Sequence, residues 1–332
     1  MFGKTNKIKK MRPPFTLTPG DTHENIFEVN ITLKQKSGKE FCVKSVYQDT
    51  MPQGSDMGTC ICIHGCPGSL ADFKYLTPLL TENGIRTISL NFPGFGLSSC
   101  KFKKLANNNE ERVQFVDKMI EVLKLEKNLM FIGHSRGSEC ALKMGALHTK
   151  KTKAIILINP VGIKIHKGMK PTFFIWLGSF CLRLGGSLAR WFIGPIIRVL
   201  YKSIGIKIDS NEVAANCLVT INNTDCAGQA KFVDQINETD ILVLNAVSGR
   251  DHLIELPVSK HFGKCFKNNI ELKLDNSANE EEDMSNLVNL KTEEGYQRFT
   301  TIFPEDGHYL QKYKAKFISN FIYSVLNSDK KQ

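Results

Sequence analysis

Residues 128–145, read as NLMFIGHSRGSECALKMG, constrain this chain more than any other stretch. The run Leu129-Met130-Phe131-Ile132 is apolar without alternation, which suits a strand buried on both faces. Gly133-His134-Ser135-Arg136-Gly137 then turns sharply, and a helix follows with Gly137, Ala141 and Gly145 spaced four apart on one face. A serine held on a strained turn needs neighbours without Cβ atoms, so that strand end and helix start can approach closely. The helix N-terminus aims its free N–H groups at that serine. A G-x-S-x-G pentapeptide arises by chance in roughly one chain of this length in ten. The strand–turn–helix setting is what gives it meaning, as a nucleophile elbow.

Apolar strands alternate with helical patterns on both sides of this unit. Phe27 to Leu33 and Phe41 to Tyr47 read as a hairpin turning near Gly38. Further strands follow at Thr59 to Ile63, Arg86 to Leu90, Ala154 to Ile158, Ile241 to Val247 and Phe299 to Phe303. Between them, helices are expected over Leu70 to Asn83, from an N-cap at Asn109, and from Leu310 to Val325. This spacing implies right-handed crossovers and a mainly parallel, eight-stranded α/β sheet with helices on both faces. The segment from Lys264 to Gly295 reads as irregular, with the acidic run Glu280-Glu281-Glu282-Asp283 as a solvated loop.

The alternation lapses between residues 162 and 235, which predicts an inserted helical cap. The chain thus divides into a basic tail (1–25), a first part of the core (26–161), the cap (162–235) and a second part of the core (236–332). The net charge of +11 is concentrated: residues 1–20 hold five basic residues and 164–207 hold eight, both without an acid. The remainder is close to neutral, so the charge marks a surface partner and not a uniformly basic fold. Basic residues interleaved with bulky aliphatics fit an anionic membrane better than a nucleic acid, and no nucleic-acid partner is expected. Pro171 to Leu182 holds about a dozen mostly apolar residues before Arg183, too few to span a bilayer. It reads first as a cap packed over the active site, and second as a membrane contact. The ten cysteines form no C-x-x-C pair and no zinc spacing, and no secretory h-region follows the basic tail. The expected localisation is cytoplasmic, with membrane association as the further expectation. No cofactor or metal is expected.

A serine on such an elbow needs a base, and the base needs an acid to hold it; both come later in the chain, acid before histidine. His308, in the Gly-His turn between the last strand and last helix, fits the base. Asp251, at the end of the strand Ile241 to Val247, fits the acid, with Glu255 as the alternative and a helix cap as the competing role for Asp251. The oxyanion hole needs two backbone N–H donors, which Cys66 and Arg136 are placed to supply. The Arg136 side chain reads as half of a structural ion pair, and the Cys66 thiol as a small filler.

These segments, HGCPGS at His64 to Ser69, NFPGFGLS at Asn91 to Ser98, GHSRG at Gly133 to Gly137, GRD at Gly249 to Asp251 and GH at Gly307 to His308, occur in the order of the α/β-hydrolase superfamily. The chain resembles that superfamily over about residues 26–327. It looks most like a little-characterised invertebrate branch, through NFPGFG, GHSRG and INPVGIKIHKG from Ile158 to Gly168. The resemblance implies a serine hydrolase but supplies no substrate; the apolar cap is what points to a hydrophobic, lipid-like carboxylic ester. Amidase, peptidase or thioesterase chemistry on the same residues, or a non-catalytic ligand-binding role, are the alternatives. Dehalogenase and epoxide hydrolase relatives carry Asp at the elbow, where this chain has Ser135. Many relatives also have Asp at the position of Asn91, which is outside the expected triad.

Overall fold

The computed structural model describes residues 7–11, 25–35, 37–98, 108–274 and 277–328. Most of the basic tail, including Lys4 and Arg12, lies outside the described residues. Among the described residues, ten strands form one sheet in the order β1-β2-β3-β5-β4-β6-β7-β8-β10-β9. They are β1 (Lys9–Lys10), β2 (Ile26–Lys34), β3 (Glu40–Asp49), β4 (Thr59–Ile63), β5 (Arg86–Leu90), β6 (Leu129–His134), β7 (Thr152–Ile158), β8 (Leu242–Ser248), β9 (Asn269–Lys273) and β10 (Arg298–Phe303). β1, β2 and β3 run antiparallel and the other seven strands are mutually parallel. All eight expected strands are present, and β1 and β9 extend the sheet at its two edges. Within the expected tail, Lys9 and Lys10 pair with Glu28 and Phe27.

The central strands are apolar on both faces because helices cover both. Ile61, Ile63, Leu129 and Phe131 belong to one core with α2 (Asn109–Val122), α3 (Gly137–Leu147), α6 (Ala230–Asn237) and α7 (Leu256–Gly263). Their neighbours in the pleat, Cys60, Cys62, Met130 and Ile132, belong to a second core with α1 (Leu76–Glu82), α8 (Glu280–Glu293) and α10 (Ala315–Ser328). The two cysteines thus act as small apolar side chains.

Three local expectations need correction. The helix expected over Leu70 to Asn83 is a 3-10 turn (Leu70–Phe73), opened by a capping box of Ser69 and Asp72, followed by the separate α1. The N-cap of α2 is Asn108, whose side chain accepts from Glu111 N at 2.9 Å; Asn109 is the first helical residue. The region 264–295 is not irregular. It holds β9 and α8, with the acidic run in the first turn of α8, where the helix dipole favours negative charge. Glu281 also accepts from Phe317 N at 2.9 Å at the start of α10, and Glu280 pairs with Lys314 just before it. A short α9 (Leu310–Tyr313) precedes α10.

Between β7 and β8 lie α4 (Thr172–Ser203), α5 (Asn211–Asn222) and α6. The apolar run before Arg183, read as too short to span a bilayer, is the first part of one helix that continues to Ser203, with a kink at Gly186, whose φ of 54° is left-handed.

Candidate active site

Strand β6 ends and α3 begins within three residues, and this geometry fixes Ser135. Its φ is 50°, a left-handed conformation that side-chain-bearing residues rarely adopt. The turn is clamped by Ser135 N donating to Ile158 O at 2.9 Å and Ser138 N donating to Ser135 O at 3.0 Å. A Cβ on Gly133 would stand 2.6 Å from Gly137 O, and one on Gly137 would run into the carbonyl oxygen of Ile63. Gly65, on the loop after β4, faces the Ser135 Cβ; its own Cβ would lie 3.2 Å away. Glycines are therefore required where three segments converge on the serine.

Asp251 and His308 meet across the ends of β8 and β10. The His308 Nδ1–H donates to Asp251 Oδ2 at 2.7 Å, and both side chains are buried. Asp251 Oδ1 accepts from Leu253 N at 2.8 Å and Ile254 N at 3.0 Å, so the carboxylate also shapes its own turn. The capping role and the histidine partnership thus belong to two oxygens of one group. Burial pushes the Asp251 carboxyl up, but the hydrogen bond and charge of His308 and the two amides outweigh it, and the pKa is lowered overall. Glu255 is elsewhere: it is largely solvated and accepts from Lys167 N at 2.8 Å.

The two loops are joined by Gly249 N to Phe303 O (2.8 Å) and Arg250 N to Asp306 O (2.9 Å). A Cβ on Gly249 would stand 2.7 Å from Pro304 Cα, which explains the glycine of the GRD segment. The His308 carbonyl is held twice, by Asn159 Nδ2 at 2.9 Å and by the His134 Nε2–H at 2.9 Å. Ser248 Oγ donates to Gly307 O at 2.8 Å and accepts from Asn159 Nδ2 at 3.0 Å. His134, Asn159 and Ser248, which motif reading passed over, thus hold the backbone at Gly307 and His308. The available signal was their placement at the C-terminal ends of β6, β7 and β8. Replacing Ser248 with Ala removes the shorter of two bonds to the half-buried Gly307 carbonyl and leaves Asn159 Nδ2, at 3.3 Å, as its donor. Urea unfolding should then show a loss of about 1 kcal/mol; an unchanged midpoint would mean that this bond contributes nothing.

Burial lowers the pKa of His134 to about 3, with the neighbouring His308 adding to the effect, so the ring is neutral. His64 is likewise lowered to about 3 by burial and then by Arg112. Its Nε2 accepts from Phe92 N at 3.0 Å, which commits that nitrogen to the backbone. The Arg136 guanidinium pairs with buried Glu139 at 2.5 Å and also bonds Asn109, and Glu139 is paired again with Lys143. The side chain of Arg136 is thus structural.

Ser135, Cys66 and Arg136 line a cavity of about 50 Å³ together with residues at and after the end of α4, including Tyr201, Ile204 and Ile206. Among the described residues, neither the Cys66 nor the Arg136 backbone N–H donates a hydrogen bond, and no bond joins Ser135 Oγ to His308. Two wider surface clefts, of about 340 and 320 Å³, include none of Ser135, Asp251 and His308.

Residues 23–327 match a family described as alpha/beta hydrolase of unknown function (DUF1057). The chain belongs to this α/β-hydrolase family. An uncharacterized protein of Caenorhabditis elegans is 26% identical over 359 residues, covering 99% of this chain and 98% of that one. The haloalkane dehalogenase DatA from Agrobacterium tumefaciens superposes with a TM-score of 0.62 at 14% identity, over 92% of this chain and 97% of its own. An esterase from Exiguobacterium antarcticum gives a TM-score of 0.57 at 14% identity, over 89% and 98% respectively. At such identities the two structures speak for the α/β-hydrolase fold alone. That fold accounts for where the candidate residues lie, at the carboxyl ends of the parallel strands.

Proposed function

We propose that this α/β-hydrolase is a serine hydrolase that cleaves a carboxylic ester with a hydrophobic acyl group. The observation that carries the reading is the 2.7 Å bond from buried His308 to buried Asp251, beside the elbow of Ser135. In this reading Ser135 Oγ attacks the ester carbonyl carbon and passes its proton to His308 Nε2. Asp251 holds His308 in the required tautomer and stabilises the imidazolium that forms. The Cys66 and Arg136 N–H groups, which donate to nothing else among the described residues, receive the oxyanion. His308 returns the proton to the leaving alcohol, and water then releases the acid from the acyl-enzyme by the same steps.

Ser135 in place of an elbow Asp favours this chemistry over the dehalogenation named for the neighbour. The bond between Ser135 and His308 is left to form with substrate, as catalytic hydrogen bonds often do. The cavity is far smaller than pockets that hold drug-sized ligands. Substrate entry therefore requires the cap segment around Tyr201 and Ile204 to move outward.

The apolar lining from Val161, Met169, Ile204 and Ile206 motivates the hydrophobic acyl group. A panel of p-nitrophenyl esters tests it. Each buried methylene should raise kcat/KM about fourfold until the pocket is filled. Faster turnover of acetyl or polar acyl esters than of longer ones would refute the substrate class.

A further inference from the structure

The kinked helix α4 presents an apolar surface that the fold does not use. One of its faces is committed: Leu182, Ile197 and Tyr201 join the core cluster of Ala214 and Cys217 from α5. Gly194 lets Asn211 of α5 approach closely, and buried Arg190 bonds Glu212 and Asn216. The opposite face points outward. Before the kink it shows Phe173, Trp176 and Phe180; after it, Leu188, Trp191 and Val199, at 65–70% exposure. Only 11% of the most apolar window of the helix is buried, so α4 is not a core helix. Exposed Lys164, Lys167 and Lys170 precede α4, Arg183 and Lys202 lie within it and Lys207 follows it, and residues 164–207 contain no acid.

We propose that α4 docks on an anionic lipid bilayer, lying in the interface with its aromatic face buried among the acyl chains. Length and composition would allow a span, but the kink and the packed face oppose one. The two arms are about 14 and 17 residues, or about 21 and 25 Å, short of a hydrocarbon core of about 30 Å. A span would also strip α5 from Leu182 and Arg190. An in-plane helix keeps those contacts, buries the exposed face and puts the basic residues at headgroup depth. A second copy of the chain is the weaker occupant, because like-charged rims would face each other across the contact. Ile204 is exposed at the end of α4 and also lines the Ser135 cavity. The docked face is thus continuous with the cap wall that closes the site.

The test is sedimentation of the full chain with sucrose-loaded vesicles, of phosphatidylcholine alone or mixed with phosphatidylserine. It reads binding without turnover, so it stands apart from the hydrolase reading. The protein should pellet with the mixed vesicles, and at least about tenfold less with neutral ones or at high salt. The double variant Leu188→Asp, Trp191→Asp should lose binding at least about tenfold while melting as the wild type does. A second variant, Arg183→Glu with Lys202→Glu, should lose only the preference for anionic vesicles. Wild type left in the supernatant with both vesicles, or a folded double variant that still pellets, would overturn the proposal. So would sedimentation equilibrium showing a dimer that dissociates in the double variant, without vesicle binding.

Discussion

If the proposed triad operates, replacing Asp251 with Asn should lower ester turnover by about 10⁴-fold and leave the fold intact. Two backbone amides, Leu253 N and Ile254 N, already require an acceptor from this side chain at 2.8 and 3.0 Å. The single oxygen of the amide side chain stays with them, so its NH₂ is turned toward His308 Nδ1. His308 must then carry its proton on Nε2, where it cannot accept the one from Ser135. KM should change little, since Asp251 does not line the cavity. The pH dependence of stability gives a second readout. A carboxyl with a depressed folded pKa stabilises the fold above its ordinary value near 3.9, and that contribution is lost as pH falls through the folded value. The stability gap between wild type and Asp251→Asn should therefore close as the pH drops below about 4. Retention of more than a tenth of wild-type kcat would remove Asp251 from the mechanism.

Gly137→Ala should destabilise the protein by about 3 kcal/mol or more, while Gly145→Ala should cost much less. Both sites lie on the sheet-facing side of α3, and both would gain about 1 kcal/mol of helix propensity. They differ in what the new methyl meets. At Gly137 it meets the carbonyl oxygens of Ile63 and His64, which are fixed by the β4 strand and its loop. At Gly145 it meets Cδ1 and Cγ1 of buried Ile155, side-chain atoms that can shift where a fixed backbone cannot. Urea unfolding of the two variants side by side checks the contrast; equal losses would mean that the elbow backbone yields as easily as a side chain.

The comparison of these glycines also shows why the elbow was legible in sequence. Backbone–backbone contact admits one residue type, so the chemistry of the turn is written in its letters. The strands beside it were legible because helices on both sides make them apolar throughout. β9 was not, since Asn269-Ile270-Glu271-Leu272-Lys273 is a short edge strand with only two apolar residues. α8 was hidden by four consecutive acids, although Met284, Leu287 and Val288 keep helical spacing behind them. The acids stabilise the start of α8, and two of them bond at α10, roles that exist only once the fold has formed. The same holds for Asn159 and His134. Each bonds a carbonyl in a loop about 150 residues or more away, and nothing local announces it. The apolar run of α4 was visible, but its length and its unpartnered face depend on which side α5 covers.

Whether Ser135 is an activated nucleophile is read by a fluorophosphonate probe followed by peptide mapping of the adduct. The expected result is one adduct on the peptide containing Ser135 in the wild type and none in Ser135→Ala. An unmodified, folded wild type, or an adduct at another residue that persists in Ser135→Ala, would contradict it.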